Sequence, residues 1–203
     1  MRVVQNIDEK ILEYIRLNIK NEKMDKVMPI ITRLGDCGML WLAVALTFLI
    51  TNKYHDDGIM IIFSLLFCVI IGNIIIKLLC ARMRPCHVND KINLLISKPR
   101  DYSFPSGHTM SSFAAATIIA NANFKMGIIS FIVAVLIAFS RLYLYVHYPS
   151  DVLVGAILGV VISILTIYYI NFIALNRFMT YVLSKINFKW NMWVIVQNKW
   201  RTY

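Results

Sequence analysis

Long apolar runs separated by short polar breaks occupy most of the chain. They lie near residues 37–51, 58–81, 106–121, 127–147 and 152–175. Each reads as a membrane helix, because a span takes about 20 residues at roughly 1.5 Å rise per residue. The first run is short, so its helix is expected to begin nearer Met28, across the polar break Arg33-Leu34-Gly35-Asp36. Ahead of the runs, Ile7, Ile11, Ile15 and Ile19 recur every four residues, with Leu12 beside them. That spacing predicts an amphipathic helix, lying in the membrane interface or packed on a protein surface. Residues 1–26 are too charged for a secretory leader and lack its continuous apolar core. Behind the runs, Trp190, Trp193 and Trp200 stand among Lys185, Lys189, Lys199 and Arg201, a mixture that favours the headgroup layer. The pattern predicts an all-α integral membrane bundle over residues 27–175. An interfacial segment, 1–26, precedes it and a basic aromatic tail, 176–203, follows.

Composition agrees with this reading. The 203 residues are 59% hydrophobic with a mean hydropathy of +0.65, above ordinary soluble usage and with no room for a large soluble domain. The net charge is +10. Because the basic residues flank apolar helices and no DNA- or RNA-binding motif is present, anionic lipid is the more economical partner than nucleic acid. Cys37, Cys68, Cys80 and Cys86 form no CxxC pair and read as small apolar side chains, with Cys86 beside Arg84-Pro85. Gly155-x3-Gly159 either allows close helix packing in the last span or is chance spacing.

Three segments at the edges of the runs carry chemistry. The first is Lys77-x6-Arg84-Pro85. Its two cations are nearly two helical turns apart and should share one helix face, with Pro85 ending the helix. Alone they could be snorkelling anchors. The second is Ser103-Phe104-Pro105-Ser106-Gly107-His108. A turn of this kind leads into a helix whose free N–H groups and dipole favour an anion. Gly107 admits close backbone approach, Ser106 can donate a hydroxyl hydrogen bond, and His108 can protonate a leaving oxygen. A plain helix cap with a surface histidine is the rival reading. The third runs from Ser140-Arg141 to His147-Tyr148-Pro149-Ser150-Asp151. Its short turn brings Asp151 back toward His147, where a carboxylate on one ring nitrogen leaves the other free to attack. An ordinary His–Asp pair in a capped hairpin would leave Arg141 unexplained.

The distribution of acids adds an independent argument. From residue 58 onward they are Asp90, Asp101 and Asp151 only. Metal-dependent phosphatases need several carboxylates around their ions. A phosphate here would be met instead by Lys77, Arg84, Arg141 and N–H groups, so no metal or other cofactor is expected.

In this order and spacing the three segments resemble the signature of the type 2 phosphatidic acid phosphatase superfamily, which holds membrane lipid phosphatases and vanadium haloperoxidases. The match covers residues 77–151. The resemblance implies a helical bundle of five to six spans in which His147 attacks phosphorus and Asp151 orients it. His108 would serve as general acid and then activate water. Lys77, Arg84, Ser106, Gly107 and Arg141 would hold the phosphate oxygens. Better-known members often have six spans, against about five counted here.

The resemblance also implies a lipid phosphate substrate, with undecaprenyl diphosphate favoured over phosphatidylglycerophosphate and phosphatidic acid. Lys91, Lys98 and Arg100 could meet a second phosphate or be solvated loop charges, and Leu94-Leu95-Ile96 could touch acyl chains. A haloperoxidase-like oxidant and a non-enzymatic carrier or scaffold are the other classes considered. With five spans the N-terminus and the site share a face carrying 14 basic residues, against seven opposite. The positive-inside rule would place that face in the cytoplasm. Three of the cations are explained by phosphate, however, and such family members usually face outward, so the expectation is a cell-membrane protein with an extracytoplasmic site.

Overall fold

The computed structural model describes the backbone of residues 2–89 and 91–200, and the side chains of residues 3–89 and 91–182. Trp190, Trp193 and Trp200 of the expected tail therefore lie outside the described side chains, as does Asp90. Every regular element among the described residues is helical. In chain order they are α1 (Arg2–Asn18), α2 (Glu22–Arg33), a 3₁₀ turn (Asp36–Gly38), α3 (Met39–Leu49) and α4 (His55–Phe67). A π-helical stretch (Cys68–Ile76), α5 (Lys77–Cys80) and α6 (Pro85–Val88) follow. The last three are α7 (Gly107–Ala122), α8 (Phe124–Tyr143) and α9 (Pro149–Trp200). The chain divides into Met1–Thr166, which holds the bundle, and Ile167–Tyr203, within which Tyr168 stacks on Phe172.

Three stretches are long and apolar enough to cross a membrane: His55–Val88, Phe124–Tyr143 and Pro149–Val182. The pair Glu22–Arg33 and Asp36–Leu49, bent by 46° at the polar break, makes a fourth if counted as one span. α7 has 16 residues, about 24 Å of helix against a hydrocarbon core of about 30 Å. The described residues thus give three to four candidate spans rather than five or six. The bend arises where Cys37 takes a left-handed backbone at φ 51 and interrupts the ladder.

α7 is the centre of the bundle and packs against α3, α4 and α8. Its small residues Ala114, Ala115 and Ala116 are fully buried, letting neighbours approach closely. Gly155 and Gly159 of α9 use this room. A Cβ on Gly155 would sit 2.7 Å from the Ser106 carbonyl oxygen, and one on Gly159 would sit 2.3 Å from that of Met110. The two glycines hold α9 against the start of α7, where the second and third segments must meet. On α1 the buried positions are Asp8, Leu12 and Ile15, while Ile7 and Ile11 are exposed. The packed face of α1 is therefore offset from the isoleucine stripe and carries a carboxylate into the protein.

Candidate active site

The first segment departs from its expected geometry. Lys77 and Arg84 do not share a helix face, because α5 ends at Cys80 and Ala81 is left-handed at φ 44. Arg84 is extended (φ −72, ψ 151), as a residue before proline prefers, and Pro85 opens α6 at its first position rather than closing a helix. The two cations still converge, through the loop after α6. Lys77 Nζ donates to Asp101 Oδ2 at 2.5 Å and Arg84 Nη2 donates to Asp101 Oδ1 at 2.8 Å. Burial pushes the Asp101 carboxyl up, but the Lys77 hydrogen bond and the Arg84 and Lys77 charges outweigh it and hold its pKa at about 2. An ionised carboxylate thus already spans both cations, with its oxygens where those of another anion could sit.

Arg84 also links this pair to the third segment. Its Nη1 donates to the Val146 carbonyl at 2.8 Å and contacts His147 Nε2 at 2.9 Å. A guanidinium has only donors, so Nε2 must present its lone pair. The ring proton then sits on Nδ1, which lies 3.5 Å from Asp151 Oδ2. Burial holds the His147 imidazole well below its ordinary range, and the charges of Arg84, Arg141 and Lys77 act in the same direction. His147 is therefore neutral at pH 7, with an unprotonated ring nitrogen beside Arg84 and the protonated one toward a carboxylate.

Arg141, in the last turn of α8, is buried and donates from Nη1 to Thr32 Oγ1 at 2.5 Å. Among the described buried side-chain nitrogens and oxygens, two lack a hydrogen-bond partner: Arg141 Nε and His147 Nδ1. Both belong to this one cluster. Buried polar groups are otherwise paired, and the Arg141 Nε–H is a buried donor of the kind that suits an anion.

The second segment supplies the opposite wall. Ser106 caps α7 by backbone position only, and its hydroxyl pairs with Thr109 Oγ1 at 2.9 Å. Gly107 faces Asn73, whose Oδ1 would lie 2.6 Å from an added Cβ. His108 Nε2 lies 2.8 Å from Asp36 Oδ1, and its ring rests on Gly35, where an added Cβ would approach within 2.7 Å. Lys77, Arg84, Gly107, His108, Arg141 and His147 all line one cavity of about 910 Å³. Asp151 and Ser106 lie behind that wall, fully buried. Leu94, Leu95 and Ile96 line the cavity as well, whereas Lys91, Lys98 and Arg100 do not.

The profile of the PAP2 superfamily matches residues 57–174. The chain belongs to this superfamily. An undecaprenyl-diphosphatase from Sulfolobus acidocaldarius is 36% identical over 129 residues, which cover 63% of this chain and 62% of that protein. The chain thus spans about three fifths of that relative's length. Among solved structures, a transmembrane PAP2-type phosphatidylglycerolphosphate phosphatase from Bacillus subtilis superposes with a TM-score of 0.70 at 25% identity. That likeness covers 84% of this chain and 88% of the other. LpxE from Aquifex aeolicus gives a TM-score of 0.68 at 29% identity, over 78% and 94% of the two chains.

Several residues of this PAP2 site escaped sequence reasoning. Asp36 was seen only as part of a polar break, although an acid inside an apolar run is itself a functional signal. Asp101 was counted as a scarce acid and not placed. Ser103, within a segment already singled out, donates its hydroxyl to Asp151 Oδ2. Arg82, between Lys77 and Arg84, donates to Asp151 Oδ1 at 2.7 Å. Thr32 and Asp8 come from α2 and α1, outside the matched PAP2 region, and carried no local signal.

Proposed function

We propose that this protein is a lipid phosphatase that releases phosphate through a phosphohistidine on His147, without a metal ion. The observation that carries the reading is the pairing of an unprotonated, buried His147 Nε2 with Arg84 at 2.9 Å, inside a cavity that also presents Lys77 and the unpartnered Arg141 Nε. The entering phosphate displaces Asp101 from Lys77 and Arg84. Its oxygens then engage those two cations, Arg141, and the Ser106–Gly107 turn at the start of α7. Guanidinium groups can take two phosphate oxygens at once, and the charge that spreads over those oxygens in the transition state is stabilised by fixed donors.

Chemistry proceeds in two displacements. His147 Nε2 forms a bond to phosphorus as the bond from phosphorus to the lipid oxygen breaks, and His108 gives that oxygen its proton. Asp151 stabilises the imidazolium formed. Water, giving up a proton to His108, then attacks phosphorus and breaks the P–N bond, releasing inorganic phosphate. Asp36, 2.8 Å from His108 Nε2, orients the acid.

Undecaprenyl diphosphate is the favoured substrate, supported by the Sulfolobus acidocaldarius relative and by the apolar flank Leu94–Ile96 beside the cations. Phosphatidylglycerophosphate is the second reading, supported by the Bacillus subtilis structure. Purified protein should release phosphate from undecaprenyl diphosphate in the presence of EDTA, and vanadate should inhibit as a mimic of the transferring phosphoryl group. A panel including phosphatidylglycerophosphate and phosphatidic acid assigns the lipid. Activity lost in EDTA and restored by Mg²⁺ would contradict the mechanism, and no release from any of the lipids would favour a carrier or scaffold.

The site is proposed to face out of the cytoplasm. A cysteine placed in the 86–104 loop, on a background cleared of Cys37, Cys68, Cys80 and Cys86, should react with an impermeant maleimide in intact cells. Labelling only after permeabilisation would put the site in the cytoplasm.

A further inference from the structure

α1 reaches the candidate site through a chain of charges in which two buried carboxylates, Asp8 and Asp151, flank a partly buried Arg82. Asp8 is buried, with a side-chain exposure of 3%, and its Oδ2 accepts from Arg82 Nη2 at 2.7 Å. The same carboxylate accepts from the Ser150 backbone N–H at 2.9 Å and from the Ser150 hydroxyl at 2.6 Å. Arg82 spends its other arm on Asp151 Oδ1 at 2.7 Å and on Ser150 Oγ at 2.7 Å, and its Nη2 is also held by Gln5 Oε1 at 2.7 Å. The guanidinium lies over the Tyr148 ring, 4.0 Å from its centroid. Asp151 Oδ2 in turn accepts from the Ser103 hydroxyl and from the Tyr148 N–H, and faces His147 Nδ1.

We infer that Asp8 is a positioning residue, which fixes Arg82 and Ser150 so that the Asp151 carboxylate is held at the angle that orients His147. The inference rests on the phosphohistidine reading of His147. A surface ion pair on an amphipathic helix would need none of this burial. An uncompensated Arg82 beside Asp151 would also draw that carboxylate toward itself and away from the imidazole. Asp8 is the second anion that satisfies Arg82, so Arg82 can brace Asp151 without capturing it. Asp8 also grips Ser150, next to Asp151, and so fixes the first turn of α9. Docking of α1 thereby becomes a condition for assembling the site, although the PAP2-matched region begins at residue 57.

The test uses the full chain in detergent, with sites counted by vanadate binding so that turnover is expressed per competent site. Asp8→Asn keeps the size and can still accept from Ser150, but it no longer neutralises Arg82. It is expected to lower kcat per site by about 10- to 100-fold, the range seen when an outer partner of a site ligand is removed, with KM changed by less than about twofold. In an Arg82→Gln background, Asp8→Asn should add little further loss, because the two act as one unit. Ser150→Ala, which removes the hydroxyl contacts to Asp8 and Arg82 but leaves the Asp8–Arg82 pair, should give a smaller drop in kcat. It also provides the readout if Asp8→Asn yields no vanadate-binding sites.

Wild-type kcat per site in Asp8→Asn would overturn the inference. So would fewer sites at unchanged turnover per site, or additive losses in the double variant. Unchanged kcat in Ser150→Ala would overturn it where Asp8→Asn forms no sites. His147→Ala, run in parallel, separates the two levels. If it retains turnover, the phosphohistidine reading fails. If it is inactive while Asp8→Asn is normal, only the role of Asp8 fails.

Discussion

His147→Ala should abolish phosphate release while leaving the bundle folded. On the proposed phosphohistidine route the substitution removes the atom that bonds to phosphorus, and no other neutral imidazole among the described residues shares the position beside Arg84. His147 packs in a loop between α8 and α9, and its truncation leaves Val146, Tyr148 and Leu144 of the surrounding wall in place, all buried. Loss of a covalent nucleophile removes the whole two-step route, a fall of roughly 10⁴-fold or more by comparison with other nucleophile deletions. Phosphate release measured against a fixed amount of folded, detergent-purified protein checks this. Turnover within about tenfold of wild type would sink the assignment.

Arg84→Gln and Arg141→Gln should each lower kcat/KM by about 10²-fold or more, the scale of a lost transition-state donor. The reasons differ. Arg84 holds His147 Nε2 in its unprotonated state and holds the Asp101 main chain, through Nε at 2.8 Å to its carbonyl. Arg84→Gln therefore removes a phosphate partner and loosens the nucleophile, so both KM and kcat should suffer. Arg141 touches neither histidine by hydrogen bond. It is anchored by Thr32 and keeps Nε free, so Arg141→Gln should act chiefly through charge developing on phosphate, and hence on kcat. Steady-state kinetics on the two variants measures the split. Wild-type constants in either would reduce that arginine to a snorkelling anchor.

The sequence carried the site further than it carried the topology. His108, His147, Arg84 and Arg141 reach one cavity with Lys77 because each of the four lies at or near a chain reversal with a local mark: Pro85, Pro105, Ser106 or Pro149. Asp151 was legible because its four-residue spacing from His147 spans a single short turn. The helix geometry between Lys77 and Arg84 was misread. Nothing in Lys77–Arg84 marks a helix stop before Pro85, yet Ala81 adopts the left-handed conformation that alanine seldom takes. The reward for that conformation is tertiary: it frees Arg82 to reach Asp8 and Asp151. Such partners have no sequence signal, because Asp8 lies 74 residues from Arg82 and 142 from Ser150 along the chain. The described residues supply three to four candidate spans by length and apolarity, short of the five to six expected, for a related reason. α7 is apolar because it lies at the centre of the bundle, and hydropathy alone does not separate a buried core helix from a membrane-crossing one.

The measurement that tests the account most directly is the location of phosphate on the protein during turnover. His108→Ala lacks the group proposed to activate water, so it should accumulate the intermediate when mixed with undecaprenyl diphosphate and quenched in base. Mass spectrometry of the digested protein should then find one phosphate, stable to base and lost in acid, on the peptide containing His147. Phosphate on any other residue, or none on a protein shown to turn over the same lipid, would contradict the phosphohistidine route.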